Sequence, residues 1–223
     1  MRDTRRESLE AALEPNTLVR RLPEPRDFAI ALGIGIVLMG IAGLIVGTDT
    51  YQGEGSLTDR MFNLANEKTV PTFFSGGILL AGGLCSLNAG RLRVYGTRGW
   101  WFGFGAFLIF MSADEVIQIH EKVETWTGID WEKPYAFVAL GAAIVWFNLV
   151  RRMDNQLRLL MVCGGIGWAI SFALEDAEYD SQDDRVSGFT AMNTVEELAE
   201  MAGSSLWLIA IVIAMKRHQQ RTR

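Results

Sequence analysis

The stretch FAIALGIGIVLMGIAGLIVG, Phe28–Gly47, runs for 20 residues without a charged side chain. A bilayer core of about 30 Å takes roughly 20 helical residues at 1.5 Å each, so this segment predicts a transmembrane helix. Further apolar stretches follow at Val70–Ala89, Gly99–Ile119, Pro134–Val150, Leu159–Leu174 and Thr194–Met215. Each is apolar around most of its circumference and leaves no continuous polar face for water. The expected architecture is an all-α polytopic membrane bundle of six transmembrane helices. Residues 1–27 form a cytoplasmic N-terminal segment, 28–215 the membrane domain and 216–223 a cytoplasmic basic tail. Two short amphipathic helices are expected to lie on the outer surface, at Ser56–Asn66 and Thr125–Pro134, and a cytoplasmic helix at Arg5–Leu13.

The basic residues test that count of spans, because Lys and Arg collect on the cytoplasmic side of membrane proteins. Of the 21 Lys and Arg, 16 fall in alternate segments: the N-terminal segment, the 91–98 and 151–158 connections and the C-terminal tail. Arg60, Lys68, Lys122, Lys133 and Arg185 fall in the others. This alternation places both termini in the cytoplasm and the protein in the cell inner (plasma) membrane. A net charge of −5 without a clustered basic face argues against a nucleic-acid partner. Two Cys, Cys85 and Cys163, make no CxxC pair, and two His exclude a tri-His zinc centre. His218 lies in the basic tail, where a solvated role is expected.

Ionisable side chains within a span are costly and mark functional candidates. They gather toward the outer ends of three spans: Asp114, Glu115, His120 and Glu121 on the third, Glu175 on the fifth, and Glu196, Glu197 and Glu200 on the sixth. On a straight helix at about 100° per residue, Asp114, Gln118 and Glu121 share one face, and His120 points about 100° away from Glu121. Carboxylates so close need either protons or a counter-ion. Oxygen-rich ligation with one imidazole suits a divalent metal ion, Mn, Mg, Ca or non-haem Fe. The di-iron template of a Glu-x-x-His pair fails here, because Ile117 stands three residues before His120. Asp114, Glu115 and His120 are the candidate catalytic groups. All eight side chains of the cluster are candidate metal ligands.

The motif Met111-Ser-Ala-Asp-Glu115 with His120-Glu121, and Glu196-Glu197-x-x-Glu200-Met201-x-Gly203, resembles a group of bacterial multi-spanning membrane proteins. These carry an SxDE…HE third helix and an EExxEMxG last helix. Pro71-Thr-Phe-Phe-Ser75 matches the start of their second helix, with Phe73 where Trp is usual, and Ala113 stands where Leu is usual. The resemblance runs from about Gly43 to Met215. It implies architecture and carries no activity. Three functions are compatible with the residues. One is a metal-dependent enzyme acting on a membrane-soluble substrate. Another is a non-enzymatic subunit or sensor packed against a membrane protein partner. The third is a proton or cation transporter. Membrane lipid is a partner in each.

Overall fold

The computed structural model describes residues 19, 22–46, 57–62, 69–180 and 189–222. The side chains of 59, 60, 121, 132, 175–180 and 189–191 lie outside that description, as does the expected helix at Arg5–Leu13. The described chain is helical: α1 Pro25–Val46, α2 Leu57–Phe62, α3 Val70–Arg91, α4 Gly99–Ile117, α5 Ile119–Thr127, α6 Glu132–Val150, α7 Asn155–Asp180 and α8 Phe189–Arg221. A single 3-10 turn, Val94–Gly96, joins α3 to α4. The helices α1, α3, α4, α6, α7 and α8 are each long and apolar enough to cross a membrane, the arrangement of a multi-pass membrane protein. The six expected spans lie on these six helices with ends displaced by a few residues, most by polar residues that continue the helix, while the third stops at Ile117, short of the expected Ile119. The short α2 falls inside the expected surface segment 56–66.

The last helix is the axis of the bundle. It packs against α7, α3 and α1, while α4 lies against α3 and α6 lies mainly against α4. Small residues permit the closest of these approaches. A Cβ on Gly203 of α8 would stand 2.7 Å from the Gly164 carbonyl of α7, and one on Gly105 of α4 would stand 2.9 Å from the Gly83 carbonyl of α3. Between them lies an aromatic core. The Trp168 and Trp207 rings stack with centroids 5.8 Å apart, and Phe104 meets Trp207 edge-on at 5.3 Å. Outward faces of α1 and α6 carry Ile34, Val37, Ile45, Phe137, Leu140 and Phe147, all exposed. Such apolar surface belongs against lipid.

The start of α1 and the last turns of α8 meet at one end of the bundle, where Lys216 Nζ lies 2.8 Å from Glu24 Oε1. The same end holds a polar knot. Asp154 caps α7 by accepting the Leu157 amide at 3.1 Å, and it accepts Arg217 at 2.8 Å and the Tyr95 hydroxyl at 3.1 Å. Partial burial works against its ionisation, but the Leu157 amide, Arg217 and Tyr95 together hold its carboxyl below the ordinary range. The same contact, with burial the larger cause, pushes the Tyr95 phenol above its usual value. Arg217 also donates to Gln156.

Candidate functional site

The opposite end of the bundle carries the acidic residues, and the path of the chain at Gln118 organises them. Gln118 has φ 58° and ψ 56°, the left-handed region that non-glycine residues rarely occupy. It ends α4 and starts α5 at a new angle. The straight-helix layout of the sequence therefore holds only up to Ile117. On a straight helix, His120 would stand about 9 Å along the axis from Asp114 and on another face. The break instead folds it back over the Asp114 carboxylate.

Asp114 is 5% exposed and accepts three hydrogen bonds. The His120 amide donates to its Oδ1 at 3.0 Å, capping the first turn of α5. His120 Nδ1 lies 3.2 Å from Oδ2. The Tyr135 hydroxyl, from the first turn of α6, donates to Oδ1 at 2.6 Å. The three ring systems above the carboxylate hold one another in place. Trp131 meets Tyr135 edge-on at 5.4 Å and His120 at 5.5 Å, and His120 meets Tyr135 edge-on at 6.3 Å. Lys122, a nearby cation in the sequence, donates to the Ile117 carbonyl at 2.6 Å and so caps the end of α4.

The remaining acidic residues do not all join this group. Glu200 of α8 accepts the buried Ser75 hydroxyl of α3 at 2.9 Å and is within electrostatic reach of Asp114. Glu115 turns toward α3, with its Cγ 3.6 Å from where a Cβ on Gly76 would stand. Ser112 donates to the Gly76 carbonyl at 2.7 Å and closes the same contact. Glu196 and Glu197 are half-buried on α8. Glu121 lies on α5 and Glu175 on α7, with side chains outside the described residues. Among the described residues, no group of three or more His, Cys, Asp or Glu side chains is placed to hold a metal ion. The structure thus joins Asp114 to His120, and joins Glu200 to Ser75 nearby. Sequence reading missed Tyr135, Trp131 and Ser75. The available signal was Asp114 itself, since a buried carboxylate requires donors, and a Trp131/Tyr135 pair four residues apart opens the next span.

Beside this site lies a crevice of about 460 Å³. Phe104, Phe107 and Met111 of α4 and Trp207 of α8 form its back. Its lining includes small residues, Ala139 and Ala142 on α6 and Gly165 and Ala169 on α7, beside larger ones such as Val138, Val162 and Ile166. Tyr135 lines it at one end and Trp146 at the other, 11 residues along α6. Tyr135 therefore touches both the crevice and Asp114.

In comparison with known proteins, residues 18–214 match a family model described as a domain of unknown function, DUF8692. No curated protein and no solved structure matches the chain.

Proposed function

The chain belongs to the DUF8692 family, and from the geometry of its site we propose that it performs acid–base chemistry on a membrane-soluble molecule, with Asp114, His120 and Tyr135 as the working groups. The observation that carries this reading is the double position of Tyr135, hydrogen-bonded to Asp114 and lining the apolar crevice. The chain of such a molecule lies in the crevice and its polar head reaches the site. An ionised carboxylate opposite Nδ1 selects the imidazole tautomer with its proton there and the lone pair on Nε2. Nε2 is the base for an acidic O–H of the head, whose oxygen keeps the electron pair as the oxyanion, and Asp114 stabilises the imidazolium that forms. Tyr135 Oη, its own proton engaged by Asp114, borders the head where the crevice meets the site.

A divalent ion, the cofactor expected from the sequence, would compete with the proton for the His120 Nε2 lone pair, with Asp114 as the carboxylate that orients the ring. The basic residues support a plasma-membrane orientation with both termini in the cytoplasm, which sets the Asp114 site toward the outer face. The test compares the lipid-soluble extracts of cells expressing the natural chain and the His120→Ala variant at equal levels. At least one species is expected to differ in abundance between them. Identical extracts would refute the reading.

A further inference from the structure

The short helix α5 is bracketed by two left-handed residues, Gln118 at φ 58° and Gly128 at φ 65°. The first turns it off the axis of α4 and the second ends it. Its backbone lies near the end of α4 and makes little contact with the other helices. At about 100° per residue, Ile119, Val123 and Trp126 fall within about 60° of one another and form an apolar stripe. His120 lies about a quarter turn from the middle of that stripe, where it meets the Asp114 carboxylate. Thr125 lies on the far side and is exposed. The protein itself does not bury the stripe. Ile119 and Val123 are half-buried, and Trp126 is 81% exposed.

The position of the stripe identifies what covers it. Both α4 and α6 are membrane-length helices, and α5 joins the end of one to the start of the other. Ile117, the last residue of α4, is exposed, as are Ile129 just beyond α5 and Phe137 in the second turn of α6. The stripe continues this lipid-facing surface to its rim. At that level an indole ring meets acyl chains and headgroups together, the setting that Trp prefers. A short amphipathic helix there lies in the plane of the interface with its apolar side toward the acyl chains.

We propose that α5 docks in the bilayer interface through Ile119, Val123 and Trp126, and that this docking holds His120 over Asp114. One helix of nine residues carries both contacts. Withdrawal of the stripe from the lipid therefore lifts or rotates the first turn of α5. That turn supplies the His120 amide, 3.0 Å from Asp114 Oδ1, and His120 Nδ1, 3.2 Å from Oδ2. The surrounding lipid thus sets the geometry of the site. The docking acts on the contact itself, whatever chemistry that contact performs, so identical cell extracts would leave it standing.

The test uses the full-length protein in phosphatidylcholine nanodiscs. The chain has seven Trp, so the emission of Trp126 is taken as the difference between the natural chain and Trp126→Phe. Lipid brominated near the headgroup quenches from within the bilayer and iodide quenches from water. Brominated lipid is expected to remove most of the Trp126 emission, and iodide little of it. Hydrogen exchange of the His120 amide is then followed in protein labelled with nitrogen-15 histidine on a His218→Gln background. Trp126→Glu places a charge in the stripe and is expected to speed that exchange about tenfold, the loss of one hydrogen bond to a charged group. Trp126→Phe keeps the stripe apolar, and Thr125→Glu places the same charge on the far side. Both are expected to exchange at the natural rate, which separates docking from a general folding defect. Quenching of Trp126 by iodide, or by neither agent as under a bound protein or second copy, would overturn the proposal. So would natural exchange in Trp126→Glu, or equal acceleration in Thr125→Glu.

Discussion

Replacing Asp114 by Asn keeps the shape of the side chain and removes its charge. The amide carbonyl can still accept the Tyr135 hydroxyl and the His120 amide. The amide NH2 then faces His120 Nδ1, where the carboxylate oxygen stood at 3.2 Å. Two donors cannot share that contact, so the imidazole must give up its Nδ1 proton and carry it on Nε2. Hydrogen bonds to a charged group contribute about 1.5–3 kcal/mol and neutral ones about 0.5–1.5. The two side-chain bonds, from Tyr135 and His120, therefore lose about 1 kcal/mol each, or about 2 kcal/mol together. A chain of this size shifts its Tm by about 2–4 °C per kcal/mol, so Asp114→Asn should melt about 4–8 °C below the natural protein in detergent. Nitrogen-15 NMR of histidine-labelled protein reads the tautomer directly, and with only two His in the chain a His218→Gln background isolates the signal. An unchanged or raised Tm, with the same tautomer in both proteins, would refute the assignment of Asp114 as the ionised partner of His120 and Tyr135.

Gly203→Ala places a methyl 2.7 Å from a backbone carbonyl of α7, and backbone displacement of this kind costs about 1–3 kcal/mol. Gly77→Ala meets nothing within 4 Å and should be neutral or mildly stabilising in the same thermal assay. At the knot between the α3–α4 turn, α7 and α8, the depressed carboxyl of Asp154 contributes stability that is complete above its ordinary value of 3.8 and is lost as pH falls through the lower folded value. Asp154→Asn should flatten that acid limb of a Tm-against-pH profile and lower the plateau above it. Gln118→Val forces a β-branched residue into the left-handed region and should cost more than about 1 kcal/mol. Gln118→Gly accepts the same backbone without strain, and equal melting of the two variants would contradict the break between α4 and α5.

The spans were legible because apolar length is a property of each segment by itself. Phe28–Gly47 contains nearly all of α1, and the helix extends to Pro25 because Pro suits a first turn. Asp114 was legible for a related reason, since a carboxylate deep in an apolar stretch stands out without any knowledge of its neighbours. The position of His120 was not. Helical periodicity carries a face forward only while the helix continues, and nothing in the type of residue 118 announces φ 58°. Tyr135 and Ser75 escaped notice because their importance lies in what they face across the bundle, and aromatic or hydroxyl residues at the start of a span ordinarily mark only the interface. The Asp154 knot was missed on the same grounds. Its partners come from the turn after α3 and the end of α8, and charges at helix ends read singly as solvated.

The two halves of the acidic end differ in how far along the chain they reach. His120 and Tyr135 lie 6 and 21 residues from Asp114, whereas Ser75 and Glu200 are separated by 125. Loop closure costs little for the first pair and more for the second. During synthesis, the Asp114 site is complete once α6 has entered the membrane, and a carboxylate that would otherwise sit bare in lipid is already satisfied by its own sequence neighbours. The Glu200–Ser75 contact must wait for the final helix, which slots between partners already in place. The chain thus inserts a finished polar centre first and locks the bundle around it last.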